Sequence, residues 1–425
     1  MSGPSPRIVP SLSLASCALL GLTSIPESIR ADEWDLDLGL MTYQEDARNV
    51  GIEFLLNASR ELADDDQVGF QVEVDTLTGA TPNGATASDQ AQTFTQASGA
   101  GQYQAGPGEI PVDDTHMDTR LALGLNYQDQ YRDDIAIDYN GRISMEFDYL
   151  SFSAGHGWQF DFNQKNSSLN FALQGEYNRV HPVGNIPIEL ALMTPSNAIQ
   201  NRTTAAKSKN IAEFSLGWTQ VINRRSICQI NTTQSHFSGY LNDPYKIVSI
   251  IDDSDPGNLG GTLAYRYEKR PGKRDLSSYF IGCKQNINGN QLDVSLRSSQ
   301  DDWGIKATVL DLRYSIKQSD GSSFQPRVRF YRQTAADFYR HSLPESEGLP
   351  DSISADTRIA AYDAITIGFK YSIQEIDNKQ HSLTFDYYEQ SGEKHPADAI
   401  GLQKSQNLFP ALRAAVFRYL FSTRW

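Results

Sequence analysis

The side chains that could do chemistry in this chain are many, but they are not grouped as enzymes group them. Seven histidines (His116, His156, His181, His236, His341, His381 and His395) are scattered, and no two stand at metal-ligand spacing. No GxSxG elbow, P-loop, HExxH or strand-bound GxGxxG occurs. The cysteines are Cys17, Cys228 and Cys283, without CxxC or CxxCH, which removes thioredoxin-type, zinc-ribbon and c-type haem sites. Cys228 and Cys283 could form a disulfide in an oxidising compartment or remain separate thiols. Acidic clusters at 64–66, 113–114, 252–255 and 301–302 read as solvated turns. Asp252, Asp253 and Asp255 form the best calcium candidate among them, although no EF-hand spacing is present. The expectation is a non-enzyme without a resident cofactor or metal.

The charged residues become informative once they are placed on strands. Stretches of strict alternation recur along the chain, as in 67–75, where Val68, Phe70, Val72 and Val74 alternate with polar residues. In 364–374, Ile365, Ile367, Phe369, Tyr371 and Ile373 do the same. Further runs centre on Leu38, Ile52, Leu123, Met145, Phe160, Phe171, Leu216, Ile230, Tyr265, Ile281, Val294, Leu312, Phe330, Phe385 and Phe421. Successive strand side chains face opposite ways, so each run has an apolar, aromatic face and a polar one. No stretch of about 18 apolar residues follows the N-terminal segment, so a transmembrane helix is not expected. Amphipathic strands can cross a membrane only as a closed barrel, in which no backbone group is left unpaired. The predicted fold is therefore all-β: a transmembrane antiparallel barrel of about sixteen strands, within about 14–18, with long external loops.

Residues 1–31 read as an export signal, with Arg7, an apolar run over 8–22 and Ala31 before the cut. A lipoprotein box at Leu14-Ala15-Ser16-Cys17 is the rival reading. Residues 32–425 are the barrel. Short turns are expected at 64–66, 163–166, 223–225, 288–290, 319–321 and 377–379, and long segments near 80–116, 181–207, 239–260, 335–357 and 391–410. With these strands the long segments do not all fall at one end, so at least one strand is misassigned. Segment 80–116, rich in Ala, Gly, Thr and Gln, reads as a mobile external loop, a folded plug being the minor alternative.

The polar faces then divide by charge. In the first half they are acidic: Asp35, Asp37, Glu53, Glu73, Asp75, Glu146, Asp148, Asp161, Glu176 and Glu213. Later they turn basic: Arg266, Lys284, Arg297, Arg313, Lys317, Arg327, Arg329, Lys370, Arg418 and Arg424. A barrel sets these as an acidic and a basic arc, which either tune the passage of solutes or interlock and close the lumen. The last strand presents Phe417, Tyr419, Phe421 and Trp425 on one face, an arrangement similar to the signal read by the outer-membrane assembly machinery. The net charge of −15 argues against a nucleic-acid partner. The expected partners are outer-membrane lipid and that assembly machinery, and the expected location is the outer membrane of a Gram-negative bacterium.

Several stretches resemble the DUF3570 family, uncharacterised bacterial proteins regarded as outer-membrane β-barrels. They are Thr78-Gly79-Ala80-Thr81-Pro82-Asn83-Gly84, Asp118-Thr119-Arg120, Glu146-Phe147-Asp148-Tyr149 and Lys165-Asn166-Ser167-Ser168. Then come Gly239-Tyr240-Leu241-Asn242-Asp243-Pro244-Tyr245-Lys246, the most specific of them, and Arg270-Pro271-Gly272-Lys273-Arg274. Asp301-Asp302-Trp303-Gly304-Ile305, Ala335-Ala336-Asp337-Phe338-Tyr339 and Ser354-Ala355-Asp356-Thr357-Arg358 complete the set. Thr-Gly-Ala-Thr-Pro replaces the more usual Ser-Gly-Ala-Ser-Pro. The resemblance implies an envelope context with a periplasmic or surface redox protein (flavin or cytochrome) as partner, and it assigns no catalytic residue. Three functions follow as expectations: a porin-like channel for small solutes, a non-conducting scaffold for such a redox partner, or a surface adhesin or enzyme built on the loops.

Overall fold

The computed structural model describes residues 33–46, 48–62, 65–95, 102–182, 184–193, 201–203, 206–374 and 379–424. The proposed signal at 1–31 and Trp425 lie outside these. In chain order the strands are β1 (Trp34–Glu45), β2 (Val50–Glu61), β3 (Gln67–Pro82), β4 (Gln92–Thr95), β5 (Gln102–Ala105), β6 (Val112–Arg132) and β7 (Ile135–Met145). β8 (Tyr149–Phe162), β9 (Ser167–Val180), β10 (Lys207–Asn223), β11 (Ser226–Gly239), β12 (Ile247–Ile251), β13 (Thr262–Tyr267) and β14 (Lys273–Ile287) follow. The last are β15 (Asn290–Asp301), β16 (Lys306–Lys317), β17 (Ser323–Gln333), β18 (Ser342–Pro344), β19 (Tyr362–Gln374), β20 (Gln380–Gly392) and β21 (Leu412–Arg424).

Sixteen of them close a barrel in the order β1-β2-β3-β6-β7-β8-β9-β10-β11-β14-β15-β16-β17-β19-β20-β21. Every neighbouring pair is antiparallel, and β1 meets β21 with Asp35 opposite Arg424. The alternation explains why: along β19 the odd residues Ile365, Ile367, Phe369 and Ile373 face outward, and Thr366, Gly368, Lys370 and Ser372 face the lumen. The outer surface carries Ile52, Leu125, Ile230 and Ile367 at 54, 60, 57 and 53 % exposure. Water-soluble monomers rarely expose a contiguous apolar patch beyond a few hundred Å2, so this belt is matched to hydrocarbon. No helix of the described residues is long and apolar enough to cross a membrane.

The Tyr265 run is the misassigned strand. β13 is six residues long, too short to cross a bilayer, and pairs with β12 away from the wall. Period two reports a strand with two unlike faces, and a strand of the cap satisfies it as well as a strand of the wall. Removing β13 from the ring brings all the long connections, 83–111, 181–206, 240–272, 334–361 and 393–411, to one end. The other end carries short turns such as 133–134, 224–225 and 288–289.

Segment 80–116 has folded structure over its described part. It contains the β4–β5 hairpin, whose Phe94 and Tyr103 are buried and stack at 5.3 Å. Residues 96–101 lie outside the described chain. Met145 ends β7 instead of centring a strand, so Glu146 and Asp148 sit in the 146–148 connection and not on the inner wall. Cys228 and Cys283 form a disulfide between the adjacent strands β11 and β14, close to the short-turn end.

Candidate functional site: a folded cap and a charged inner wall

The long connections do not hang free. All five meet at the small sheet β13-β12-β18, whose central strand β12 has five residues, every one of them buried. It pairs antiparallel with β13 and parallel with β18. From 83–111, the Thr86 amide donates to Ser249 Oγ (3.1 Å), the Asn83 carbonyl accepts from the Ile247 amide (2.9 Å), and Gln92 Nε2 donates to the Tyr265 hydroxyl (2.9 Å). From 181–206, the Leu190 and Met193 amides donate to Tyr267 and Tyr265 carbonyls. Residues 334–361 contribute β18 and a reciprocal pair between Lys269 and Ile353 (2.9 and 2.8 Å). From 393–411, the Leu402 amide donates to the Leu259 carbonyl (2.8 Å). Gly260 and Gly401 both have positive φ there (80° and 49°), and a Cβ on either would strike the other segment's backbone.

These connections are rooted after the third, seventh, ninth, thirteenth and fifteenth strands of the ring. Chains that rise from all sides and meet on one small sheet must cross the mouth. The long connections are therefore a cap. Its apolar filling comes from several loops: Phe94, Tyr103, Met193, Ile247 and Tyr267 form one cluster, and Val248, Ile250, Leu343, Ile353 and Ala355 another.

At the root of the cap lies a buried ionic network. Arg270 Nε contacts Glu268 Oε1 at 2.7 Å, and Arg270 Nη2 contacts Asp356 Oδ2 at 2.8 Å. Arg358 Nη2 reaches Asp356 at 2.6 Å and Asp243 at 2.5 Å. Lys246 Nζ donates to the Pro82 carbonyl, Tyr245 donates to Asp148, and the Ser354 hydroxyl donates to Glu268 (2.5 Å). Three carboxylates, Asp243, Glu268 and Asp356, face three cations, Lys246, Arg270 and Arg358. Balance of this kind is what makes buried charge tolerable, and removing one member of such a set typically costs about 3–5 kcal/mol. Burial pushes the Asp356 carboxyl up, but Arg358, Lys246 and Arg270 outweigh it and hold it well below the usual range. Asp243 is held down in the same way, chiefly by Arg358 against its own burial. Burial lifts the Glu268 carboxyl and depresses Lys246.

A second knot seals the rim beside it. Arg274 Nε donates to Asp301 Oδ2 (2.7 Å), and Asp301 Oδ1 accepts from the amides of Trp303 (3.1 Å) and Ile305 (2.8 Å). Trp303 Nε1 donates to the Lys273 carbonyl (2.8 Å), and its ring meets Phe338 edge-on at 5.1 Å.

Seven of the nine segments that carry the family resemblance converge on the cap's root, whereas 118–120 lies within β6 and 165–168 spans the short turn before β9 at the opposite end. Segments 78–84, 146–149, 239–246, 270–274, 301–305, 335–339 and 354–358 all contribute. Their meeting was not readable, because the partners are far apart in the chain. One local signal was available: Ile247-Val248-Ser249-Ile250-Ile251 is an almost continuously apolar run between turn residues, the mark of a strand buried on both faces.

On the inner wall the expected acidic residues have neighbours the sequence reading omitted. Arg120 pairs with Glu73 and Asp75, and Arg142 Nη2 with Glu73 Oε2 at 2.6 Å. Glu213 accepts from Ser235 (2.9 Å), and Asp161 from Gln159 (3.1 Å) and Ser168 (2.6 Å). On the basic side, Asp311 accepts from Arg313 (2.9 Å) and Arg327 (2.6 Å), and Asp386 from Arg418 (3.0 Å). Arg424 joins Asp35 (2.8 Å) across the closing seam. Arg120, Arg142, Asp311 and Asp386 share the inward parity of their strands, so the alternation did contain them. Arg266 leaves the arc altogether: it lies on β13 and donates to the Leu190 carbonyl (2.6 Å).

Carboxylates gather at Glu53, Glu73 and Asp75 and at Asp118, Glu146 and Asp148, their oxygens within 4.8 Å of one another. Guanidiniums already hold Glu73 and Asp75, and Tyr245 holds Asp148. The calcium candidate does not have the form of a cation site. Asp252 accepts from the Ser254 and Asp255 amides (3.0 and 2.9 Å) and from Asn258 (3.2 Å), and these donors hold its carboxyl at about 2. Asp253 accepts from Ser346. A carboxylate saturated with donors from its own turn shapes the loop.

Residues 9–423 match the model of DUF3570, a protein family of unknown function. The chain belongs to this family. No curated protein matches it. Among solved structures it is similar to the siderophore receptor PirA from Acinetobacter baumannii, at 11% identity and TM-score 0.41, over 86% of this chain and 54% of that one. It is also similar to a mutant (Q482A) of the ferric enterobactin receptor PfeA from Pseudomonas aeruginosa in complex with enterobactin, at 10% and 0.45, over 93% and 61%. A bacterial polysaccharide outer membrane secretin matches at 9% and 0.43, over 93% of this chain and 100% of that one. The chain spans less than two thirds of the length of these two receptors.

Proposed function

We propose that this DUF3570 protein is an outer-membrane channel for small solutes that rests closed, its external mouth sealed by the cap. The observation that carries this is the convergence of loops from all round the ring on the small sheet whose central strand is fully buried. Three further features support it. The outer belt is apolar, long loops stand at one end and short turns at the other, and sixteen strands enclose more space than wall side chains alone fill. The outward row Phe417, Tyr419 and Phe421, continued in sequence by Trp425, is the proposed address for the assembly machinery in a Gram-negative outer membrane. Passage then requires the cap to move, and the ionic network at its root is the hinge point to attack.

In planar bilayers the wild-type protein should be silent, whereas Arg358→Ala, which leaves Asp243 and Asp356 short of a cation, should show discrete conductance steps. Full-size steps from the wild type would overturn the closed state. Silence of a variant that still shows heat-modifiable gel mobility, with its cap opened by proteolysis, would overturn the channel. The same compact cap also favours the second reading, a scaffold that presents a fixed surface to an envelope redox protein. Pull-down of a flavoprotein or cytochrome by the wild type but not by the variant would select it.

A further inference from the structure

The two arcs of the inner wall are not equally neutralised. On the four adjacent strands β15, β16, β17 and β19, six cations face inward: Arg297, Arg313, Arg327, Arg329 and Lys370 within the wall, and Lys317 at its short-turn end. The carboxylates on the lumen side beside them are Asp293, which accepts from Gln291 (2.8 Å), and Asp311. Arg313 and Arg327 lie directly opposite each other in register, and both donate to Asp311. Asp311 is also the residue opposite Arg329, but its oxygens are taken. Among the described residues no carboxylate lies within 4.0 Å of Arg297, Arg329 or Lys370. Arg297 instead lies over the Phe280 ring at 5.3 Å.

Help from β20 is limited to Asp386. It reaches over Gly368 to Arg327 at 3.7 Å because Gly368 has no Cβ to block the path, and it also accepts from Arg418. Neighbouring strands are about 4.8 Å apart, so Arg297 and Arg329, two strands from each other, are roughly 10 Å apart across the wall. Glu213 and Asp37 act on Arg297 and Lys370 from beyond ion-pair distance, but like charges at that spacing repel, and they are tolerated when water or a counter-ion completes their neutralisation. Solute can reach the surface, since the Arg313 side chain is 42 % exposed and Arg297, Arg329 and Lys370 are half-buried. It is also reachable with the cap closed, because the short turns at the other end cannot bridge a sixteen-stranded mouth.

We propose that the inner wall of β15, β16, β17 and β19 is a binding site for a compact anion carrying phosphate or carboxylate groups, held by Arg297, Arg329 and Lys370 beside the paired Arg313 and Arg327. Guanidiniums suit this ligand, since their planar fork matches such oxyanions in bidentate contacts. This deepens the channel reading by naming its solute class. It is tested without conductance, so a silent bilayer and a failed binding experiment are separate results.

The experiment is calorimetric titration of the detergent-solubilised full chain with inorganic phosphate, and in parallel with citrate, at constant ionic strength. The wild type should bind one or both. Arg297→Gln with Arg329→Gln should weaken binding at least about tenfold, since each loses a charge-assisted contact. Arg332→Gln, on the outer face beside Asp363, should leave it unchanged. Removing uncompensated charge should also leave the anion-free barrel at least as heat-stable as the wild type, an outcome that a merely structural role for these arginines would reverse. Should the double variant fail to fold, Arg329→Gln alone, checked by gel mobility, should still weaken binding several-fold. No saturable binding by the wild type, or equal binding by the folded variants, overturns the proposal.

Discussion

The barrel wall and its cap are built by opposite rules. The wall is made of neighbours: each strand pairs with the next in sequence or with one a single loop away, and its side chains sort by parity alone. The cap is made of strangers, and the sheet around its central strand is held by segments from 83–111, 181–206, 334–361 and 393–411. Charge follows the same division. Ion pairs of the wall range from exposed, as at Asp35–Arg424 and Arg332–Asp363, to buried, as at Arg120–Glu73, whereas those at the cap's root are enclosed together in one network. Disturbances should therefore spread through the cap and stay local in the wall.

The largest effect is expected from Arg270→Ala. It leaves Glu268 and Asp356 buried without their shared cation, a cost of about 3–5 kcal/mol. Amide exchange in 240–272 should accelerate by roughly two to three orders of magnitude, while β7 and β8 stay protected. Equal acceleration in both regions would erase the distinction. The same network sets the acid response. Asp243 and Asp356 have depressed carboxyls, so their contribution is present above the ordinary aspartate value of 3.8 and is lost only as pH falls well below it. Glu268 is shifted upward, so its contribution runs the other way and favours the closed cap as pH drops from neutrality. The near-UV circular dichroism of the cap aromatics should be as strong at pH 5 as at pH 8 and collapse only in strong acid. Loss between 7 and 5 would contradict this.

Next in size is a change to the wall. Cys228→Ser with Cys283→Ser removes a link between residues 55 apart in sequence, worth about 2–4 kcal/mol for a loop of that size. The urea midpoint of the whole barrel should fall, with cap exchange unaltered below the transition. Smallest is Asp35→Asn at the seam. The Asp35 side chain is 52 % exposed, and such pairs contribute at most about 1 kcal/mol, less in salt. A shift in midpoint much larger than this would mean that the seam depends on the pair in a way its exposure does not suggest.

The same contrast explains what was legible in the sequence. Period two is a local property, so the strands, the closing pair Asp35 and Arg424, and the outward row at Phe417 could be read residue by residue. The Tyr265 run misled because β13 also has two unlike faces, and parity carries no information about which sheet a strand joins. The composition of 80–116 suggested mobility, yet Phe94 and Tyr103 anchor it through partners more than a hundred residues away. The family-bearing segments pointed to the right places without saying that they touch. Their contacts are set by the barrel's closure, which no window of sequence contains. The inner-wall excess of arginine was visible only in part, since Asp311 and Asp386 had to be placed before the unpaired cations stood out.

The position of loop 393–411 has a consequence for how the molecule is made. It joins β20 to β21, the last two strands, and its Leu402 and Gln403 complete the packing around Leu259 and β18. A chain delivered in order from its first residue can thread fifteen strands and still lack this piece. The cap therefore finishes only when the final hairpin is in place, so an immature barrel presents an unsealed outer surface rich in unpaired loop backbone. Protease sensitivity of that surface becomes a clock for biogenesis, running from the first inserted strand and stopping when the seam closes.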